Sequence, residues 1–268
     1  MRPEVNQLFD LSGKVALIIG GAVNLGRDMA QVLSAAGCAV AISSRERPRA
    51  QQAARMLEEM GDVEALPLQL DQTQPRQIIE AVEAVMDWKG QIDILVNNAG
   101  NGPTSGLGLF ERTADDVQQM ISTNLIGTLN CCREVARIMV ERKSGKIINI
   151  ASVAGLIGRD RRMYERNKMA GVPVDYSAAK AGLIGMTRDL AAYLAPHDVY
   201  VNAISPGGFQ REAMPEGFVR DYSDRVPLGR MGRDGIDLKG AALFLASPAS
   251  DYITGQNLVV DGGFSIWQ

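Results

Sequence analysis

A short apolar run that enters a glycine-rich turn and then a helical stretch constrains the fold more than any other feature. Residues 14–19 have the composition of a strand buried on both faces. They lead into residues 20–26, which contain three glycines, and a helix-like run follows over residues 27–36. Glycines allow a backbone to approach a pyrophosphate, which then sits at the helix N-terminus. The pattern predicts a dinucleotide-binding turn, with an ordinary strand-to-helix turn as the alternative.

Short apolar runs and amphipathic stretches continue to alternate along the chain. Further strands are predicted over residues 39–43, 63–70, 92–96, 146–150, 199–204 and 257–260, and further helices over about 51–60, 74–88, 114–141, 176–195 and 236–246. This alternation is typical of a doubly wound parallel sheet with helices on both faces. A chain of 268 residues can form one such unit. We therefore predict a single-domain α/β Rossmann fold over residues 1–268, with about seven parallel strands and a mobile lid over about 207–235.

Composition argues against several classes of partner. The formal net charge of −3 does not indicate binding to nucleic acid or to a membrane surface. The first seven residues lack the apolar core of a signal peptide, and no later run approaches the length of a membrane span. Cys38, Cys131 and Cys132 show no metal-ligand spacing, so neither a metal site nor a disulfide framework is expected. The expectation is a cytoplasmic protein that acts on a small molecule.

The end of the second predicted strand bears on the choice of cofactor. In dinucleotide-binding folds an acidic residue at this position bonds the free ribose 2′-hydroxyl, whereas arginine suits a 2′-phosphate. Ser44 and Arg45 stand where that acid would be expected. The sequence therefore favours NADP(H) over NAD(H), although Arg45 could instead begin a solvated helix.

Polar residues also follow the third and fourth predicted strands, where a ligand crevice is expected. Asp71 could accept a hydrogen bond from the adenine amino group, or it could cap the helix that follows. Asn97, Asn98, Ala99 and Gly100 follow the fourth strand, and their amides suit the bracing of neighbouring loops. Both positions are consistent with a cofactor cleft.

Tyr176 and Lys180 are four residues apart, so on a helix they share one face. A phenol has a pKa of about 10, and a nearby ammonium lowers that pKa and so makes the phenol a better acid–base catalyst. Ser152 follows the fifth strand at the same sheet edge as the glycine turn, and Asn124 lies within a predicted helix. Taken alone, Ser152 is more typical of a turn hydroxyl, Asn124 of an exposed or locally bonded amide, and the Tyr176–Lys180 pair of a surface helix.

Taken in order, these motifs resemble the short-chain dehydrogenase/reductase family over nearly the whole chain. The glycine signature of that family falls on Ile19, Gly20, Asn24 and Gly26. Ile19 replaces a threonine and Asn24 replaces a glycine, but asparagine tolerates positive φ, so the turn can persist. The resemblance assigns to the cofactor Gly20, Asn24, Leu25, Gly26, Ser44, Arg45, Asp71, Asn98, Ala99, Gly100, Tyr176, Lys180, Pro206 and Gly207.

The resemblance also implies a catalytic group and a reaction, hydride transfer between nicotinamide and a secondary alcohol or ketone. Tyr176 would exchange a proton with the substrate oxygen, which Ser152 would bind. Lys180 would hold the nicotinamide ribose and lower the pKa of Tyr176, and Asn124 would support a water that links Lys180 to solvent. Members of the family are usually homotetramers.

The spacing between Ser152 and Tyr176 is unusual, since their 24 positions are about twice what the family commonly has. The extra segment, about residues 159–170, is basic over residues 159–168. An arginine there, with Arg159 and Arg162 as the candidates, could bind an anionic substrate group. A solvated loop or a subunit contact is the alternative.

Several substrate classes remain open. The chain most resembles sugar and gluconate dehydrogenases, which implies a sugar, sugar-acid or polyol substrate. A 3-oxoacyl-thioester reductase is the alternative enzyme. A non-catalytic nucleotide-binding regulator is disfavoured because both Tyr176 and Lys180 are present.

Overall fold

The protein contains one seven-stranded parallel sheet with helices packed on both faces. A computed structural model describes residues 2–61, 63–100 and 108–267. The strands are β1 Val15–Ile19, β2 Ala39–Ser44, β3 Ala65–Gln69, β4 Ile94–Asn97, β5 Gly145–Ile150, β6 Val199–Pro206, β7 Phe209–Gln210, β8 Gly232–Arg233 and β9 Asn257–Val260. The main sheet has the order β3-β2-β1-β4-β5-β6-β9, and β7 and β8 form a separate parallel pair.

Ten α-helices occur in the described residues. They are α1 Pro3–Phe9, α2 Asn24–Ala35, α3 Arg47–Met60, α4 Pro75–Lys89, α5 Ala114–Ile121, α6 Gly127–Arg142, α7 Arg162–Arg166, α8 Val174–Leu194, α9 Glu216–Ser223 and α10 Lys239–Ala246. The strand order reverses between β1 and β4. In open α/β sheets, ligands bind beside the carboxyl ends of the strands at such a reversal.

The central strand β1 explains why helices cover both faces. All five of its residues are buried. Because side chains alternate along a strand, Ala16 and Ile18 join the core beneath α2 and α10, whereas Val15, Leu17 and Ile19 join the core beneath α4 and α6. The predicted fold class and all seven predicted strands of the main sheet are thus confirmed.

Three helical features differ from the predictions. The helix predicted over residues 114–141 is interrupted, because a π-helical segment, Ser122–Ile126, separates α5 from α6. The segments that contain α7 and α9 were expected to be loops. A helix of five or eight residues is too short to show the apolar periodicity of a longer one.

The segment 207–235, predicted as a lid without regular structure, has a small core of its own. Phe218 and Tyr222 of α9 pack with Met163 of α7 and with Phe264 near the C-terminus. Tyr222 stacks on Phe264, with ring centroids 4.5 Å apart. The basic segment, α9 and the C-terminal residues therefore form one cluster beside the sheet. Closure of this lid remains a prediction.

The described residues contain no helix that is both long and apolar enough to cross a membrane. They contain no group of three or more histidine, cysteine, aspartate or glutamate side chains placed to hold a metal ion. Cys38, Cys131 and Cys132 are buried free thiols.

Candidate active site

A cleft of about 670 Å³ lies at the carboxyl ends of the central strands. It brings together all four predicted catalytic residues and most of the predicted cofactor residues. The predicted residues in its lining are Gly20, Asn24, Leu25, Ser44, Arg45, Asp71, Asn98, Ala99, Gly100, Asn124, Ser152, Tyr176, Lys180, Pro206 and Gly207. Gly26, Arg159 and Arg162 are not among the described lining residues.

The glycine turn is fixed by close backbone approach. Gly20 has φ +74, and a Cβ atom there would lie 2.8 Å from Cα of Ala99. Asn98 donates from Nδ2 to the carbonyl oxygen of Gly20 at 2.8 Å, which joins the turn to the end of β4. Asn24 has φ 51, so the expectation that asparagine can serve in this turn is confirmed.

Gly26 supports the turn from beneath instead of lining the cleft. A Cβ atom on Gly26 would lie 2.2 Å from the carbonyl oxygen of Gly20. Helix α2 begins directly at the turn, and its N-cap residue, Val23, provides no side-chain cap. Its first backbone N–H groups can therefore serve an anion at the cleft. The turn and this helix end fit the pyrophosphate of a dinucleotide.

The far end of the cleft combines basic and acidic groups. Arg45 and Ser44 line it as predicted, and Arg49 and Glu46 line it as well. Arg49 forms an ion pair with Glu46 at 3.0 Å, and the backbone N–H of Glu46 donates to Oγ of Ser44 at 3.2 Å. The structure thus offers two arginines near the expected ribose position, one of them paired with an acid.

Asp71 lines the cleft, and its alternative assignment as a helix cap is wrong. Helix α4 has Gln74 at its N-cap, without a side-chain cap. The carboxylate of Asp71 instead accepts hydrogen bonds from the backbone N–H of Thr73, at 2.9 Å, and from the Thr73 hydroxyl, at 2.8 Å. A contact between Asp71 and adenine remains a prediction.

The π-helical segment positions Asn124. Asn124 is fully buried, and its Nδ2 donates to the carbonyl oxygen of Met120 at 3.1 Å. Single-turn π segments within α-helices are frequent at functional sites, because the extra residue redirects the side chains around it. Sequence periodicity alone could not distinguish this segment from a continuous α-helix.

Lys180 is held close to Tyr176. It lies on α8 one turn after Tyr176, is 4% exposed, and donates from Nζ to the carbonyl oxygen of Ile150 at 2.8 Å. Its Nζ lies 5.7 Å from the centroid of the Tyr176 ring. Burial lowers the pKa of Lys180 to about 8. At pH 7 the side chain is therefore largely protonated.

The pKa of the Tyr176 phenol is raised, whereas the sequence predicted that it would be lowered. Burial raises its pKa above 10.0, while hydrogen bonding to Ser152 and the positive charge of Arg159 lower it by less. The expected lowering by Lys180 is not among these contributions. Tyr176 is thus a protonated acid at neutral pH, which suits it to give a proton to a carbonyl oxygen.

Ser152 stands at the start of a short 3₁₀ turn, Val153–Gly155, directly after β5. Its Oγ accepts a hydrogen bond from the backbone N–H of Ala154 at 3.1 Å. A hydroxyl has one proton to donate and two lone pairs, so this contact leaves its O–H as a donor. Ser152 hydrogen-bonds Tyr176, so a substrate oxygen placed beside the two hydroxyls could accept from both in place of that bond.

Sequence reasoning missed a buried brace beneath the cleft. Gln72 is 3% exposed, and its Nε2 donates to the carbonyl oxygens of Ala99, at 3.0 Å, and Thr123, at 2.5 Å. It thereby ties the loop after β4 to the π-helical segment. A glutamine in a predicted turn carries no spacing signal that would have revealed this role.

The basic segment packs on the rest of the protein and is not a fully solvated loop. Arg162 is 76% exposed and bonds Asp160 at 2.8 Å, so it does not reach the catalytic group. Asp160 also accepts a hydrogen bond from Arg225 at 2.6 Å, and Arg166 pairs with Asp221 of α9 at 3.2 Å. Arg159 instead points toward α8.

Comparison with known proteins agrees with this arrangement. Residues 20–265 match a family model described as enoyl-(acyl carrier protein) reductase. The chain is 36% identical to 5-keto-D-gluconate 5-reductase from Escherichia coli, covering 98% of this chain and 99% of that protein. It is 34% identical to 3-oxoacyl-[acyl-carrier-protein] reductase from Aquifex aeolicus, covering 94% and 98% respectively.

Solved structures give the same result. A short-chain dehydrogenase/reductase from Mycobacterium marinum superposes with a TM-score of 0.88 at 34% identity, covering 98% of this chain and 100% of that one. A candidate gluconate dehydrogenase from Agrobacterium tumefaciens gives a TM-score of 0.86 at 35% identity, covering 97% and 99%. With the glycine turn, the catalytic group and these similarities together, the chain belongs to the short-chain dehydrogenase/reductase family of oxidoreductases.

Proposed function

We propose that this protein is an NADP(H)-dependent reductase of keto sugar acids. The observation that carries the proposal is the placement of Tyr176, Ser152 and Lys180 together at one end of the dinucleotide cleft. The substrate class is supported by the relative from Escherichia coli, whose name gives 5-keto-D-gluconate as its substrate. Oxidation of the corresponding alcohol is the reverse of the same reaction.

Three side chains have different roles in carbonyl reduction. Ser152 and Tyr176 bind the carbonyl oxygen, and Tyr176 gives it a proton. Lys180, still largely cationic at pH 7, stabilises the negative charge that Tyr176 acquires as its proton leaves. A nicotinamide cofactor, when bound in the cleft, would supply the hydride. Gly20, Asn24 and the N-terminus of α2 would hold the cofactor phosphates.

The preference for NADP(H) is supported by the basic residues at the far end of the cleft. Arg45 lines the cleft and suits bidentate binding of a 2′-phosphate. Glu46, which also lines the cleft, could accept from a free 2′-hydroxyl, but it already pairs with Arg49. Direct comparison of kcat/KM for NADPH and NADH tests this preference.

A 3-oxoacyl-thioester reductase is the second candidate. It is favoured by the similarity to the Aquifex aeolicus protein, which spans nearly the whole chain. Both candidates use the same catalytic group, so they differ in what surrounds the ketone. The choice between them depends on substrate comparison.

The deciding experiment follows the absorbance of NADPH with 5-keto-D-gluconate and with a 3-oxoacyl thioester. Turnover of the keto acid in preference to the thioester is expected. Replacing Tyr176 with phenylalanine should lower kcat by about 100-fold to 10,000-fold, because the proton donor is lost while the ring remains. Preference for the thioester would overturn the substrate assignment, and undiminished activity of Tyr176→Phe would overturn the mechanism.

Assembly into a homotetramer is also proposed. Helices α6 and α8 expose apolar side chains, including Leu129 at 43% and Val174 at 48%. Exposed apolar surface on paired helices suits contact with a second copy of the chain. The molar mass from light scattering should be four times that of one chain, and a monomeric mass would contradict the proposal.

A further inference from the structure

The basic segment between Ser152 and Tyr176 directs one of its four arginines toward the catalytic helix. Arg162 bonds Asp160, Arg166 pairs with Asp221, and Arg161 is exposed. Arg159 differs from all three because its terminal nitrogen Nη2 donates to Oγ of Ser177 on α8 at 3.2 Å. It is therefore the arginine of this segment that lies beside the catalytic tyrosine.

Two hydrogen bonds anchor Arg159 without neutralising it. Besides Ser177, Nη2 donates to the carbonyl oxygen of Val172 at 2.9 Å. Both acceptors are uncharged, and among the described residues no carboxylate forms an ion pair with Arg159. A guanidinium has five N–H donors, so the donors on Nε and Nη1 remain for another acceptor. Arg159 is half-buried, and an anion that arrived with a ligand would stabilise a cation of this kind.

Ser177, which accepts a hydrogen bond from Arg159, directly follows Tyr176, so an anion bound by Arg159 would lie near the reacting carbonyl. The positive charge of Arg159 also lowers the pKa of Tyr176 and that of Tyr222 in α9, against the larger effect of burial. Tyr222 accepts a hydrogen bond from the backbone N–H of Gly208 at 2.6 Å, next to the cleft-lining Gly207. The guanidinium thus lies against α8 beside the residue that follows the proton donor, next to the cleft but not among its lining residues.

We propose that Arg159 binds the carboxylate of the substrate and thereby selects acidic ketones over neutral ones. The proposal rests on the function proposed above, in which Tyr176 reduces a ketone of a sugar acid. A planar guanidinium with free donors matches a carboxylate in bidentate geometry. A neutral hydroxymethyl group at the same place would leave the charge of Arg159 uncompensated.

The matched substrates for the test are 5-keto-D-gluconate and L-sorbose. L-Sorbose has the same carbon chain and configuration, with a hydroxymethyl group in place of the carboxylate. We expect Arg159→Ala to lower kcat/KM for the keto acid by about 10-fold to 100-fold, mainly through KM, and to leave that for L-sorbose nearly unchanged. Arg159→Lys, which keeps the charge but not the planar donors, should be intermediate. Removing the charge of Arg159 would raise the pKa of Tyr176 further, so Tyr176 stays protonated at pH 7 and remains the proton donor in each variant.

Arg161→Ala is the matched control, since it removes one positive charge from the same segment at an exposed position. It should change neither substrate's kcat/KM. Thermal unfolding of each variant shows whether the fold is retained. An equal loss for both substrates in Arg159→Ala, or no loss for the keto acid, would overturn the role of Arg159 while leaving the reductase function standing. If the wild-type protein reduced neither ketone, the proposed function and this inference would both fail.

Discussion

At the scale of single residues, burial decides the chemistry of the site more than charge pairing does. Lys180 and Tyr176 were predicted from their spacing, and the structure brings them together as expected. The direction of the Tyr176 pKa could not be predicted, because it depends on how much water the surrounding elements exclude. The same burial that raises the pKa of the phenol lowers that of the ammonium close to it.

The lowered pKa of Lys180 has a consequence for stability. Its pKa falls from 10.5 to about 8 on folding. Between these values the unfolded chain binds more protons than the folded one, so this residue adds stability as pH rises from about 8, at about 1.4 kcal/mol per pH unit. Below pH 8 its charge is buried at a cost. Replacing Lys180 with methionine should remove this dependence, which denaturant unfolding at pH 7 to 9.5 would measure.

The difference in unfolding free energy between the wild-type and Lys180→Met proteins should therefore be smallest at the alkaline end of this pH range. Catalytic activity should fall over the pH range in which this contribution to stability rises. Because loss of the Lys180 proton removes a positive charge near Tyr176, kcat/KM should fall as pH rises through about 8. A difference in unfolding free energy that did not change with pH would contradict the assigned pKa.

At the scale of elements, the strands were predictable because their apolar runs are long enough to show a pattern. The π-helical segment around Asn124 and the brace from Gln72 were not, since each depends on contacts between segments far apart in sequence. A second such connection runs across the sheet. Asn97 of β4 donates to Asn149 of β5 at 2.9 Å, and Asn149 donates to Thr187 of α8 at 3.0 Å.

This buried chain of hydrogen bonds should help to hold α8 at its place on the sheet. Replacing Thr187 with valine keeps the shape but removes the acceptor of the Asn149 amide. Leaving that buried donor unsatisfied should cost about 1–3 kcal/mol, measured by denaturant unfolding. Thr187→Ser keeps the hydroxyl but loses the methyl group and is the control, so a Thr187→Val protein as stable as the wild type would show that this hydrogen bond does not contribute to stability.

At the scale of the whole molecule, the sheet provides the cleft at the ends of its strands, and a separate cluster packs beside that cleft. That cluster joins three segments distant in sequence: the basic segment, α9 and the C-terminal residues around Phe264. The sequence indicated the first as an insertion and the second as a lid. Their packing against each other could not be predicted, because the few apolar residues of the basic segment and of α9 do not indicate which other segment they contact.

The cluster should loosen as a unit when its shared aromatic contact is removed. Phe264 is 8% exposed and stacks on Tyr222 of α9, so Phe264→Ala leaves a gap between the tail and the lid. Amide hydrogen exchange should become faster in α9, while β1, buried within the sheet, should exchange as in the wild type. Phe264→Leu, which retains apolar contact without the stacked ring, should give a smaller increase. Faster exchange in β1 to the same extent as in α9 would mean that the cluster and the sheet open together, and the lid could then not move independently of the cofactor cleft.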